Sequence, residues 1–122
     1  MTLRVMVVED QPQLRVALRK LLEQRGIEVV GDVADGVQAL ELAQVVEYDV
    51  VLTDLKMPNL DGIGLTRELR RTDPNAAIVV YTAYADASLV QEGKAAGVSG
   101  WVLKGAHSDE LIEALFSACR TT

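Results

Sequence analysis

Four short apolar runs punctuate the chain, and each ends on a residue with usable chemistry. Residues 5–8 are followed by Glu9 and Asp10, residues 50–53 by Asp54, residues 78–81 by Thr82, and residues 101–103 by Lys104. Runs this short and this rich in β-branched side chains read as strands covered on both faces of a parallel sheet. Between them, apolar residues recur at helical spacing. Residues 11–24 place Leu14, Ala17, Leu18, Leu21 and Leu22 on one face, with Pro12 tolerated in the first turn and Gly26 just past the end. Asp35 and Gly36 open a second helix with Val37, Leu40 and Ala43 inward, and Asp61 caps a third over residues 62–71. Residues 86–96 form a fourth, closed by Gly97. Ser108 caps a last helix to Cys119, with Leu111, Ile112, Leu115 and Phe116 inward. Asp73-Pro74-Asn75 is a turn. Strands are expected over residues 3–8, 28–31, 49–53, 77–81 and 100–103.

This alternation predicts an α/β fold of parallel strands joined by right-handed crossovers. Periodicity alone does not give the strand order. The second strand, short and ending in Gly31-Asp32, is expected at an edge, which lets the other four lie side by side. In an open parallel sheet the ligand crevice lies at the carboxyl ends of the strands. Glu9, Asp10, Asp54, Thr82 and Lys104 would then converge.

A chain of 122 residues is one domain by size, read here as residues 1–122. Apolar residues at 49% and charged residues at 25% are ordinary for a globular protein, and aromatics at 4% leave the core to Val, Leu, Ile and Ala. The net charge of −6 argues against direct nucleic-acid binding, which needs a basic face. A single cysteine, Cys119, excludes an intrachain disulfide and a cysteine metal site. No run approaches the roughly 20 apolar residues of a membrane span, and the start lacks a signal segment. The expectation is a cytoplasmic protein without membrane attachment.

Adjacent acids at a strand end suit a hard cation such as Mg²⁺, one directly and one through water. Beside them, Asp54 could serve as a ligand and as a nucleophile toward a phosphoryl group. The Thr82 hydroxyl and the Lys104 ammonium are groups that bind phosphoryl oxygens. Each residue also has an ordinary explanation: Asp10 as a helix cap, Asp54 as a strand-ending acid, Lys104 as a solvated side chain, Thr82 as a common strand residue. Their shared position at four strand ends favours a site. His107, past the last strand, reads as a surface or capping residue.

Glu9-Asp10, Asp54 with Met57-Pro58 and Gly62, Thr82-Ala83 and Lys104 together resemble the receiver domain of two-component response regulators, the CheY-like fold, over essentially the whole chain. The resemblance implies a flavodoxin-like, doubly wound five-stranded sheet in the order 2-1-3-4-5 with helices on both faces. It implies that Asp54 accepts a phosphoryl group from a sensor histidine kinase in a Mg²⁺-dependent step, the domain catalysing only its own phosphorylation and dephosphorylation. Asp10 and Asp54 would ligate Mg²⁺ directly, Glu9 through water, and the main-chain carbonyl of Lys56 would complete the set. Thr82 and Lys104 would bind the phosphoryl oxygens. The signal would pass to the face formed by the fourth helix, fifth strand and fifth helix, where Leu89, Val90, Trp101 and Val102 could dock an output domain or partner, or a second copy on phosphorylation.

The chain departs from the family pattern at three places. The switch aromatic, usually Tyr or Phe, is Trp101, whose larger ring would swing less or stay outward as a contact surface, unless it is a plain edge-of-core residue. Lys104 is followed by Gly105 rather than proline, giving a more permissive loop and a similarity to receivers that precede a LuxR-type DNA-binding domain. The chain stops just past the last helix, which reads as a receiver alone, free-standing or excised. Lys56 and Tyr84 flank the family's path for hydrolytic water and are expected to tune hydrolysis. Two other classes compete. A metal-dependent phosphatase on a related fold would need an acid just after the nucleophile, and position 56 is Lys. A docking-only receiver would have lost a core site residue, and all are present.

Overall fold

Every apolar run forms a strand. In the structure, a computed structural model describing residues 2–83 and 86–120, the order is β1 (Arg4–Val8), α1 (Pro12–Gln24), β2 (Glu28–Val33), α2 (Gly36–Ala43), β3 (Val50–Thr53), α3 (Gly62–Thr72), β4 (Ala77–Thr82), α4 (Ala87–Ala96), β5 (Gly100–Leu103) and α5 (Ser108–Arg120). The strands are all parallel, in the order β2-β1-β3-β4-β5. The doubly wound architecture implied by the resemblance is the one adopted.

Strand alternation explains the two layers. Val5, Val7, Val50, Leu52 and Val79 pack with Leu18 and Leu22 of α1 and Leu111 and Leu115 of α5. Met6, Val8, Val51 and Ile78 pack with Ala39 of α2 and Leu65 and Leu69 of α3. Strands buried on both faces have no solvent side to mark with polar residues, hence the unbroken apolar runs. A third cluster of Leu55, Ile63 and Val80 gathers Leu89, Ala96, Val98 and Trp101 between the sheet and α3–α4.

Several local expectations need correction. β2 lies at an edge of the sheet, as β5 does at the other, but it is not short: it spans six residues. Its register slips opposite Val5 and Met6, which pair with Val29 and Gly31, so Val30 is the extra residue of a bulge. Gly31 lies where a Cβ would come 2.4 Å from Leu42 Cδ2, and Asp32 is ion-paired to Arg15 and Arg19 of α1. Those partners let a glycine and an acid sit inside a strand. Val37 is 45% exposed and Ala17 also faces solvent, while α2 buries Gly36 and Ala39 instead. The last helix begins at Ser108, and His107 caps it: the Asp109 amide donates to His107 Nδ1 at 3.2 Å. Of the four apolar residues proposed for docking, Val102 is buried in the core, and Leu89 and Trp101 are partly buried against the third cluster. Leu103 is the exposed large apolar residue of β5.

Candidate functional site

The sheet order reverses between β1 and β3, whose connections leave toward opposite faces, so a crevice opens beyond their carboxyl ends. Glu9 and Asp10 follow β1, and Asp54 follows β3. The Asp54 amide donates to Val8 O at 3.0 Å, which places the two strand ends side by side. One oxygen from each of Glu9, Asp10 and Asp54 lies within 4.8 Å of the others.

Burial makes this crowding costly. Glu9 is 1% exposed and Asp54 8%. Asp54 Oδ1 accepts the Leu55 amide at 2.7 Å, and Oδ2 accepts Lys104 Nζ at 2.9 Å. Lys104 reaches across from the end of β5 and also lies 3.3 Å from Glu9 Oε1. That second contact is an ion pair without hydrogen-bond geometry, so Glu9 Oε1 is a buried acceptor with no hydrogen bond among the described residues. Glu9 Oε2 accepts the Gln11 amide at 3.1 Å. Burial pushes the Glu9 carboxyl above its usual range and the Asp54 charge adds to this, against the Gln11 amide and Lys104. Burial alone would lower the Lys104 pKa, but its hydrogen bond to Asp54 and the charges of Asp54 and Glu9 outweigh that and raise it.

Asp10 is half-buried and does not cap α1; Gln11 occupies the cap position, without a side-chain bond. The turn is held by Arg15 Nη1, which donates to Glu9 O at 2.7 Å. Thr82 ends β4 fully buried, its carbonyl accepting the Lys104 amide at 2.7 Å. Lys56 stands exposed on the loop between β3 and α3. The base of that loop is closed by the Gly62 amide donating to Leu55 O at 2.8 Å, and a Cβ on Gly62 would lie 2.4 Å from Asp54 O. Only glycine allows that approach.

Trp101 packs into the third cluster rather than standing out from the surface. Its ring lies over Gly93 of α4, where a Cβ would come 2.7 Å from Trp101 Cζ3. The indole Nε1 is buried with no hydrogen-bond partner among the described residues. Tyr84 lies outside the described residues. Sequence reasoning missed Asp35 and Asn59, whose side chains meet at 2.6 Å at the tip of the β3–α3 loop. The turn propensity of an Asn after Pro58 was the available signal.

The donor set fits a hard divalent cation: three carboxylates within reach of one another, two of them buried, and one buried oxygen still without a hydrogen bond.

Residues 5–116 match the response regulator receiver domain family. The chain is 37% identical over 112 residues to the transcriptional regulatory protein PdtaR of Mycobacterium tuberculosis, covering 92% of this chain and 54% of that protein. It is 32% identical to the chemotaxis protein CheY of Thermotoga maritima, covering 92% and 93%. Among solved structures it matches a LuxR-family two-component response regulator from Aurantimonas sp. SI85-9A1 with a TM-score of 0.92, at 34% identity over 98% of this chain and 86% of that one. The receiver domain of the putative response regulator NarL from Mycobacterium tuberculosis gives 0.93 at 27% identity, covering 99% and 98%. The chain spans about half the length of its PdtaR relative and nearly all of its CheY relative.

The chain belongs to the receiver domains of two-component response regulators. It is a CheY-like signalling domain whose relatives include both single-domain chemotaxis proteins and transcription regulators.

Proposed function

We propose that residues 1–122 form a phosphoacceptor switch that takes a phosphoryl group on Asp54 from a histidine kinase. The observation carrying this reading is the partly buried Lys104–Asp54 pair at the sheet's switch point, flanked by Glu9 and Asp10. An Asp54 oxygen attacks phosphorus in line; the new O–P bond forms as the bond to the donor's histidine nitrogen breaks, the electron pair leaving on nitrogen. Such a transfer needs positioning and charge neutralisation more than acid–base chemistry. The Leu55 amide fixes the Asp54 carboxylate, Lys104 moves from Asp54 to the phosphoryl oxygens, and Thr82 donates its hydroxyl to them. Mg²⁺ held by Asp10 and Asp54, by Glu9 through water and by the Lys56 carbonyl would supply further positive charge. A lost Lys104–Asp54 contact and an engaged Thr82 then bias the β4–α4 segment and the α4–β5–α5 face toward a partner. An output domain, a partner protein or a second copy is the proposed recipient, without direct nucleic-acid contact. Lys56 and Tyr84 tune hydrolysis, so Tyr84→Ala changes the phospho-Asp lifetime.

The cytoplasmic setting belongs to the same proposal; among the described residues no helix is long and apolar enough to cross a membrane. Intact mass after incubation with Mg²⁺ and a small acyl phosphate tests the core of it. One added phosphoryl group is expected, absent in Asp54→Asn and after chelation. A wild-type mass that stays unchanged, or an Asp54→Asn that still gains the group, would remove Asp54 from its assigned role.

A further inference from the structure

The loop between Asp54 and α3 is anchored at its tip as well as its base, and the tip anchor comes from α2. Asp35 is the N-cap of α2: its Oδ1 accepts the Gln38 amide at 2.9 Å, and the Ala34 amide returns a bond to Gln38 Oε1 at 2.9 Å. The second oxygen of the same carboxylate, Oδ2, accepts Asn59 Nδ2 at 2.6 Å. Asp35 is buried while Asn59 is exposed, so the bond is partly buried. A backbone rung lies beside it, the Gly36 amide donating to Leu60 O at 3.1 Å. A side chain at Gly36 would force this rung apart, since a Cβ would lie 2.6 Å from Leu60 O.

The anchored residue is in an unfavourable conformation. Asn59 is the sole non-glycine residue with positive φ, at 69°, among the described residues. The Leu60 amide donates across it to Pro58 O at 2.8 Å. That bond and that φ describe the left-handed γ-turn, the rarer and more strained of the two forms. Strain of this kind persists only where its surroundings enforce it, and it concentrates near functional sites. The base of the loop is fixed by Gly62 and Leu55, and Leu55 is itself in the core. On the strand side, Lys56, Met57 and Pro58 span from Leu55 at the base to Asn59 at the tip.

We infer that the Asp35–Asn59 bond is a positioning device for the cation site: by holding the strained turn, it presents the main-chain carbonyl of Lys56 toward Asp10 and Asp54. This rests on the Mg²⁺ reading given above. Asp35 and Asn59 touch no ligand themselves; they act through the backbone three residues away, as outer partners do when they orient a metal's ligands.

Calorimetric titration of Mg²⁺ into the whole chain tests this with three variants. Asp35→Ser keeps an oxygen for the helix cap but has no second one to accept from Asn59. Asn59→Gly keeps the left-handed turn accessible and removes the tether. Gln38→Ala weakens the cap of α2 without touching the tether. Asp35→Ser and Asn59→Gly are each expected to bind Mg²⁺ about tenfold more weakly, the scale typical of lost outer partners. Gln38→Ala should bind as wild type while melting earlier. Acyl-phosphate labelling should need correspondingly more Mg²⁺ in the two tether variants yet reach the wild-type plateau, a shift that general loosening of the fold would not give. Wild-type affinity in both tether variants overturns the inference while leaving the Mg²⁺ site intact. A wild-type chain that takes up no Mg²⁺ removes the site, and the positioning role with it.

Discussion

Gly93 and Trp101 show how one missing carbon sets the behaviour of a neighbour. An alanine in a helix interior normally gains about 1 kcal/mol over glycine. At position 93 its Cβ would fall 2.7 Å from Trp101 Cζ3, and a rigid indole wedged among Leu89, Val98 and Val80 has nowhere close to go. Overpacking of this kind costs about 1–3 kcal/mol, so the clash outweighs the helical gain. Gly93→Ala is therefore predicted to lower stability in urea and to shift Trp101 emission to the red as the ring moves toward water. An unshifted spectrum with raised stability would mean that the ring has room the packing does not reveal. The inward ring is one of the placements the sequence allows, but choosing it requires knowing that a glycine eight residues earlier, in α4, faces β5. The strand-end residues needed no such knowledge. Asp54 and Lys104 could be placed because a run of apolar residues states where its strand ends, whereas the Asp35–Asn59 contact joins two loops 24 residues apart that no periodicity links.

At the scale of elements, α4 is tied down by a clamp from α3 as well as by its packing on the third cluster. Arg70 Nε donates to Gly97 O at 3.2 Å, and its other nitrogens reach Gly97 O, Ala76 O, Pro74 O and the hydroxyl of Ser99. One guanidinium thus ties the end of α3, the entry to β4 and the turn that closes α4. Hydrogen bonds to a charged group contribute about 1.5–3 kcal/mol each but do not add, and part of the fork is wet. Arg70→Met is predicted to cost about 2–3 kcal/mol on that basis. Hydrogen exchange should quicken first at residues 94–98. Arg70→Lys should rescue little, because an ammonium cannot span the same carbonyls. Exchange that quickened evenly over the whole sheet would argue that the clamp serves global stability and not α4. Element boundaries are legible where burial on both faces leaves an unbroken apolar run, as in β1, β3 and β4, and β5 shows as an apolar run although only Val102 of it is buried. β2 was truncated because Gly31 and Asp32 interrupt its pattern. Their reasons for being there, Leu42 packed over one and two arginines of α1 around the other, are tertiary.

Across the whole molecule, the topology that gathers the strand ends also gathers like charge. Three carboxylates whose oxygens lie within 4.8 Å share the Lys104 ammonium, in a chain whose net charge is −6. With all three ionised, one ammonium leaves two negative charges over, and Lys104 pairs with Asp54 and Glu9 rather than with Asp10. Two such charges at this distance repel by about 1 kcal/mol where water still screens them, and Asp10 is half exposed. The fold therefore holds its site against its own electrostatics. Asp10→Asn is predicted to stabilise the chain in chelator by about 1 kcal/mol, roughly 3–6 °C in Tm for a domain of this size. Added Mg²⁺ should reverse the order: an ion that binds only the folded state raises Tm by mass action, and wild type, which keeps the ligand, should gain more than the variant. Thermal melts of both proteins with chelator and with a Mg²⁺ series decide it. If Asp10→Asn melted at or below wild type in chelator, charge crowding would not be a cost the fold carries. If both proteins gained equally from Mg²⁺, Asp10 would not be one of its ligands.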